Sequence, residues 1–160
     1  FDKNGLKTDY NANKYLMGTP AIGNLDDDDD LEVVIGGYSS SNQIFAVNPD
    51  GSDVDGFPLT LGEKTKAGVT LSDFDGNGLD DIVLGTDNNE VYLIYDNASI
   101  APGFPYQVGD KIQTSPSVLD INGDKVIFVG TGEDSGQGQD NTLYAINADG
   151  TKRFTQNPDR

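Results

Sequence analysis

One pattern of short apolar segments and loops occurs three times in this chain of 160 residues. Each copy begins with an apolar segment, which is followed by a loop rich in Asp, Asn and Gly. A second apolar run then ends in glycine, and a third strand-like run follows it. These closing glycines, Gly36, Gly85 and Gly130, are 49 and 45 residues apart, and the Gly-Phe-Pro triplets at 56–58 and 103–105 open a fourth run. Four strands at a period of about 40 to 50 residues are typical of a propeller blade. The sequence therefore predicts an all-β fold, a β-propeller segment of about three four-stranded blades.

The apolar runs support this prediction. Ile82-Val83-Leu84 and the run 126–129 are apolar without strict alternation, as expected for sheets covered on both faces. A β-sandwich of short strands is the alternative, and such regular repeats argue against it. The predicted repeats span approximately 18–64, 65–112 and 113–155, and 1–17 is predicted to end a preceding blade. Because a closed propeller usually needs four to eight blades, we expect the remaining blades to come from a longer parent chain or from self-assembly of partial rings.

The loop of the second repeat, DFDGNGLDD, has the ligand spacing of a calcium loop. Counted from its first Asp, positions 1, 3, 5, 7 and 9 are Asp73, Asp75, Asn77, Leu79 and Asp81. Side chains at these positions, or the backbone carbonyl at position 7, converge on calcium, and Gly78 at position 6 allows the sharp turn. An EF-hand is excluded, because the loop leads into a strand-like run and position 12 is Leu84 instead of Glu.

The same register in the first repeat selects alternate members of an acidic run. Its predicted ligands are Asn24, Asp26, Asp28, Asp30 through its carbonyl, and Glu32. Asp27 and Asp29 are then expected to face water. Asp29 replaces the glycine at position 6, where a left-handed conformation would cost about 1 kcal/mol, so the Asp73 loop is expected to bind more tightly. The third loop, 120–124, is two residues shorter and is predicted to be a plain turn.

Charge and composition narrow the possible partners. The chain has 27 acidic and 10 basic residues, no His and no Cys, and a net charge of −17. This charge repels phosphate backbones, so nucleic acid is not expected as a partner. No apolar run approaches the length of a transmembrane segment, so membrane insertion is not expected. Oxygen ligands without His or Cys favour a hard cation, and we predict two bound Ca²⁺ ions.

Three segments together resemble a known repeat family. GNLDDDDDLEVVIGG, DFDGNGLDDIVLGT and the stretch 115–120, SPSVLD, are similar to FG-GAP (VCBS-type) repeats, which form calcium-binding blades in integrin α-subunits and secreted bacterial proteins. The resemblance implies a secreted or cell-surface, extracellular propeller. It also implies metal ligation by the positions named above in both loops. The missing glycine at Asp29 and the short third loop depart from the family pattern.

Two functions are consistent with these features. The first is a non-catalytic adhesion or binding module, in which loops such as 38–41 and 132–141 contact a protein or a glycan. The second is the propeller portion of a secreted carbohydrate-active enzyme, polysaccharide lyase-like, or a peptidase-associated domain. Without His the chain cannot assemble a Ser-His-Asp site. For a carboxylate pair, the acids to examine first are Glu63 and Glu133, which lie in other loops. We predict that the chain is not an enzyme.

Overall fold

A computed structural model describes residues 16–38, 42–132 and 140–157, which form twelve β-strands and no helix. None of these described segments is a helix that could cross a membrane. The first sheet contains β1 (Ala21–Gly23), β2 (Glu32–Gly36), β3 (Gln43–Val47) and β4 (Leu59–Thr60). The second contains β5 (Thr70–Ser72), β6 (Asp81–Gly85), β7 (Glu90–Ile94) and β8 (Tyr106–Gln107). The third contains β9 (Ser117–Ile121), β10 (Asp124–Gly130), β11 (Leu143–Asn147) and β12 (Lys152–Gln156).

Each sheet is an antiparallel meander in which consecutive strands pair. The glycines that marked the repeat, Gly36, Gly85 and Gly130, end the second strand of their sheets. The first strands lie side by side, since β5 contacts both β1 and β9. Backbone and side chain join them there: Val69 N–H donates to the Thr19 carbonyl over 3.4 Å, and the Thr70 hydroxyl donates to the Pro116 carbonyl over 2.6 Å. The predicted all-β fold of three four-stranded, blade-like units is confirmed.

Two apolar layers hold the three sheets together. Between the first and second sheets, Val34 and Ile44 pack with Ile82, Leu84 and other buried side chains. The layer between the second and third sheets is built from Val83, Val91, Leu93, Ile112, Ile127, Val129 and Ile146. Every residue of β6 is buried, because its two faces belong to different layers. Burying one such side chain contributes about 1.5–3 kcal/mol, so these layers fix how the sheets stack.

The outer sheets are covered less completely than the middle one. In the third sheet Leu119, Leu143 and Phe154 remain 54%, 39% and 45% exposed. In the first sheet Ile22 remains 67% exposed. The expectation of sheets covered on both faces therefore holds throughout β6 and only in part for these strands.

Short turns connect the strands around these layers. The hairpin between β9 and β10 turns at Asn122 and Gly123, whose φ angles are +58° and +92°. This is the two-residue turn that joins tightly twisted strands, which confirms the predicted plain turn in the third repeat. Several predicted features, namely most of 1–17, residues 39–41 and residues 133–139 with Glu133, lie outside the described residues.

Candidate metal centre

Two acidic loops occupy equivalent places in the first and second sheets. Residues 24–31 join β1 to β2, and residues 73–80 join β5 to β6. In the first loop, one carboxylate oxygen from each of Asp26, Asp28 and Glu32 lies within 4.8 Å of the others. The second loop brings Asp73, Asp75 and Asp81 together within the same limit. Both groups belong to the ligand positions predicted from sequence, and each can hold a metal ion.

The two loops fold through the same local hydrogen bonds. The N–H at position 5 donates to the side chain at position 3, Asp28 to Asp26 Oδ1 over 3.1 Å and Asn77 to Asp75 Oδ1 over 3.0 Å. The N–H at position 7 donates in turn to position 5, Asp30 to Asp28 Oδ1 and Leu79 to Asn77 Oδ1, over 2.7 Å in both loops. Asp and Asn form such bonds to the backbone two residues on. These bonds hold the alternate side chains on one side of each loop.

The ninth residue of each loop begins the second strand of its sheet and is fully buried. Glu32 and Asp81 are both 0% exposed. The N–H of Leu25 donates to Glu32 Oε2 over 2.6 Å, and the N–H of Phe74, at the equivalent position, donates to Asp81 Oδ2 over 2.7 Å. Asp81 accepts a second bond, because the N–H of Asp96 donates to Asp81 Oδ1 over 3.1 Å. The strand and these donors fix each carboxylate at the base of its loop.

Burial makes the charged form of both carboxylates costly. It raises the pKa of Asp81 to about 6, although the N–H groups of Phe74 and Asp96 oppose the shift. Burial also raises the pKa of Glu32, and the nearby charges of Asp26 and Asp28 raise it further, against the N–H bond from Leu25. Buried like charges are stabilised by an opposite charge among them. A divalent cation inside each loop would supply that charge.

Two buried oxygen atoms of the first loop have no hydrogen-bond partner within the described part of the chain. They are Glu32 Oε1 and Asn24 Oδ1, both buried atoms at predicted ligand positions 9 and 1. Buried polar atoms are nearly always hydrogen-bonded, and these two belong to side chains that the loop register assigns as ligands, so a cation between them would give both a partner. Ca²⁺ takes six to eight oxygen ligands, and carboxylates, amides and carbonyls are what these loops offer. The residues present therefore fit a hard cation.

The expectation that Asp29 adopts a left-handed conformation is wrong. Among the described residues, neither Asp27 nor Asp29 has a positive φ, whereas Gly76 and Gly78 in the second loop have φ angles of +82° and +94°. The first loop follows a backbone path that needs no left-handed residue. Asp29 therefore carries no left-handed strain, and the physical basis for ranking the Asp73 loop as tighter is lost.

The sequence analysis missed two residues that support the second loop. Asn77 Nδ2 donates to Asp96 Oδ1 over 3.1 Å, so Asp96 orients a predicted ligand as well as bonding Asp81. Asp80, also in the second loop, accepts a hydrogen bond from the Asn24 N–H of the first loop. Asp96 had no signal from the repeat, because the equivalent positions in the first and third repeats are Pro49 and Ala148.

Of the two acids considered for catalysis, the structure describes only Glu63. Glu63 lies 3.1 Å from Lys64 Nζ, and the N–H and ammonium groups of Lys64 hold its pKa below the ordinary value. Glu133 lies outside the described residues.

Comparison with known proteins identifies the fold. The chain is similar to the crystal structure of BamB from Moraxella catarrhalis, with a TM-score of 0.61, 18% identity, and coverage of 92% of this chain and 39% of that one. It is also similar to BBS1N, crystallised in complex with ARL6DN, with a TM-score of 0.56, 16% identity, and coverage of 86% and 39%. Both are β-propeller proteins. The chain thus spans about two fifths of their length and shares their fold. No protein-family model and no curated protein sequence matches it.

Proposed function

We propose that this chain is a calcium-binding β-propeller segment of the FG-GAP type, with one Ca²⁺ in each acidic loop. The observation that carries the proposal is the unpartnered, buried pair Glu32 Oε1 and Asn24 Oδ1, in a loop that already gathers three carboxylates. The second loop shares the hydrogen-bond register of the first, which extends the assignment to Asp73, Asp75, Asn77, Leu79 and Asp81. Oxygen donors alone favour Ca²⁺ over the transition metals.

The proposed ions have a structural role outside cells. Each would bind one loop to the buried first residue of a strand and neutralise part of a chain that carries a net charge of −17. Extracellular calcium modules typically have dissociation constants of about 10⁻⁴ to 10⁻³ M. Such sites fill at extracellular calcium concentrations and empty in a calcium-poor cytosol. We therefore propose that the protein is secreted or displayed at the cell surface.

The proposed activity is non-catalytic binding of a protein or a glycan, in an adhesion role. A cleft of about 790 Å³ supports this proposal, at the edge of the Asp73 loop. Its lining combines acids and bases: Asp73, Asp75, Asp124, Lys125, Asp149 and Arg153. Mixed charges on an open loop surface suit a polar ligand such as a glycan or a protein surface. Without His in the chain, neither a Ser-His-Asp nor a Cys-His site can be assembled from these residues.

Further blades are the proposed partners of the third sheet. The positions of Val83, Val91 and Leu93, which are buried between the second and third sheets, correspond to Phe128, Leu143 and Ala145 one repeat later. Leu143 and its neighbour Phe154 are 39% and 45% exposed in this chain. A following blade, supplied by the parent chain or by another copy, would cover them as the third sheet covers the second. The molar mass in solution distinguishes the two sources, because only the second gives an oligomer.

Calorimetric titration tests the metal assignment. The chain is stripped with a chelator and titrated separately with CaCl₂ and MgCl₂ at about 0.15 M salt, where long-range surface effects are screened. We expect two Ca²⁺ per chain and much weaker Mg²⁺ binding, because Mg²⁺ demands near-ideal octahedral geometry. Absence of Ca²⁺ binding would refute the metal proposal. Turnover of a polysaccharide or peptide panel, lost when one acid of the chain is replaced, would refute the non-catalytic proposal.

A further inference from the structure

A reciprocal pair of hydrogen bonds joins the two acidic loops across the boundary between the first and second sheets. The N–H of Asp80 donates to the carbonyl of Asn24 over 2.6 Å. The N–H of Asn24 donates back to Asp80 Oδ2 over 3.1 Å, between residues 56 apart in sequence. We call these two contacts the Asn24–Asp80 bridge. It connects position 1 of the first loop to position 8 of the second.

The bridge continues into the proposed ligands on both sides. The peptide group that supplies the Asn24 carbonyl also supplies the Leu25 N–H, which donates to Glu32 Oε2 over 2.6 Å. The peptide group that supplies the Asp80 N–H also contains the carbonyl of Leu79, the proposed ligand at position 7. Peptide groups are planar and rigid. Two rigid planes and two hydrogen bonds of 2.6 Å therefore separate a ligand carboxylate of one loop from a ligand carbonyl of the other.

The close approach of the loops depends on a residue without a side chain. A Cβ atom at Gly23 would lie 2.4 Å from Asp80 Oδ2 and 2.7 Å from Leu71 Cδ1. Gly23 is absent from the described glycines with positive φ, so the backbone conformation does not require glycine there. Its role is to leave room for the bridge.

We infer that the Asn24–Asp80 bridge couples the two cation sites, so that an ion in one loop increases the affinity of the other, with Asp80 as the positioning residue. The inference rests on the proposed function. An ion held by Glu32 and Asn24 orders the peptide plane that receives the Asp80 N–H, and the Leu79 carbonyl is ordered with it. The second ion then loses less conformational freedom on binding, which gives positive cooperativity. By linkage the effect is equal in both directions.

The coupling is measured from three titrations of the whole chain with CaCl₂ at about 0.15 M salt, which screens repulsion between distant ions. Glu32→Gln disables the first loop and Asp75→Ala disables the second, so each variant reports the affinity of the other loop alone. The coupling factor is the product of the two stepwise association constants of the parent, divided by the product of these two single-loop constants. We expect a factor of about five or more.

The same three titrations are repeated with Asp80 changed. Asp80→Ala removes the acceptor of the Asn24 N–H, and this side-chain bond holds the two backbones in the register that the Asp80 N–H bond needs. We therefore expect the coupling factor to fall below about two, outside the usual range of allosteric coupling. Asp80→Asn loses the same charge but keeps a carbonyl oxygen as acceptor, so it should retain the coupling. The contrast between these two backgrounds cancels the effect of the charges removed in the single-loop variants.

Two further measurements keep the test decisive. Thermal melts in saturating CaCl₂ show whether each variant folds. If Asp80→Ala does not fold, Gly23→Ala replaces it in the test. Gly23→Ala separates the loops while keeping every carboxylate, so it should also lower the coupling factor. If the parent, Asp80→Asn and the bridge-disrupting variants all bind two ions and have the same coupling factor, the coupling through the bridge is overturned and the metal sites stand. No calcium bound by the parent would overturn both.

Discussion

The N–H of Leu25 donates to Oε2 of Glu32 over 2.6 Å, while Oε1 of the same fully buried carboxylate has no hydrogen-bond partner. One oxygen is thus held by the loop and the other is available to a ligand. The second sheet repeats the first half of this arrangement with Phe74 and Asp81. A carboxylate placed in this way is costly without a cation and well positioned with one.

The effect of Glu32→Gln should depend on calcium. In chelator, the variant should unfold at the same temperature as the parent or a higher one, because it removes a buried charge without an ion pair. In CaCl₂ at 100 times the dissociation constant, it should lose about 2.7 kcal/mol of the stabilisation that calcium gives, which is the share of one site. Thermal melts with and without calcium measure both effects. An equal calcium-dependent shift in variant and parent would exclude Glu32 as a ligand.

Asp75→Ala tests the second loop against a control in the first. It removes a carboxylate of the Asp73–Asp75–Asp81 group and should abolish the calcium-dependent stabilisation from that loop, about 2.7 kcal/mol under the same saturation. Asp27→Ala removes an exposed acid from outside the first group, and its calcium dependence should stay close to that of the parent. Similar responses of the two variants would mean that general charge, and not ligation, controls the effect.

Asp29→Gly tests whether the backbone at Asp29 is free of left-handed strain. If Asp29 were forced into a left-handed conformation, glycine would relieve about 1–2 kcal/mol and tighten calcium binding at least fivefold. Because Asp29 has no positive φ, we expect the affinity of the first loop to change by less than about twofold, and the affinities of the two loops to lie within about tenfold of each other. Calorimetry of Asp29→Gly in the Asp75→Ala background isolates this loop. Calcium binding that is tighter by fivefold or more would show that Asp29 is strained after all.

Tyr144 makes a bond between the second and third sheets that does not depend on calcium. Its hydroxyl donates to Asp140 Oδ2 over 2.6 Å and accepts the Gly109 N–H over 3.0 Å. Tyr144→Phe should cost about 1–3 kcal/mol of unfolding free energy, with or without calcium, since it removes a hydrogen bond to a carboxylate and one from a backbone N–H. Tyr106→Phe is the matched control, because Tyr106 packs edge-on against Tyr144 with ring centres 6.4 Å apart and has no hydroxyl bond among the described contacts. Equal losses in denaturant titrations would refute this role.

The same contact predicts a pH dependence. Burial acts to raise the pKa of Asp140, but hydrogen bonds from Thr142, Tyr144 and Thr131 outweigh it and hold the pKa below the ordinary value of 3.8. A depressed folded-state pKa contributes stability that is present above the unfolded value and is lost as the pH falls through the folded one. Tyr144→Phe should therefore reduce the acid sensitivity of unfolding below about pH 4. Parallel pH dependences for the variant and the parent would contradict this assignment.

Local patterns in the sequence predicted much of the fold. Strand segments and their closing glycines are set by apolar runs and turn residues, so the spacing of Gly36, Gly85 and Gly130 marks the three sheets in the sequence itself. The alternate positions of the loops were equally local, because Asp and Asn bond the backbone two residues ahead.

The remaining features of the site depend on contacts distant in sequence. Asp96 reaches Asn77 from 19 residues away, and Asp80 reaches Asn24 from 56 residues away. The first contact depends on the pairing of β6 with β7 within the second sheet, and the second depends on the apolar layer that stacks the second sheet on the first. No single loop encodes either. The φ angle of Asp29 was mispredicted because the register of the second loop was applied to the first, which has no glycine at these positions and follows a path without a positive φ.

A crystal structure grown in CaCl₂, with anomalous scattering recorded at long wavelength, tests the central claim most directly. We predict one calcium peak in each acidic loop, with oxygen ligands at about 2.3–2.6 Å. The first peak should contact Glu32 Oε1 and Asn24 Oδ1, and the second should contact Asp73, Asp75 and Asp81. Well-ordered loops without a peak at saturating calcium, or peaks only at lattice contacts, would contradict the account.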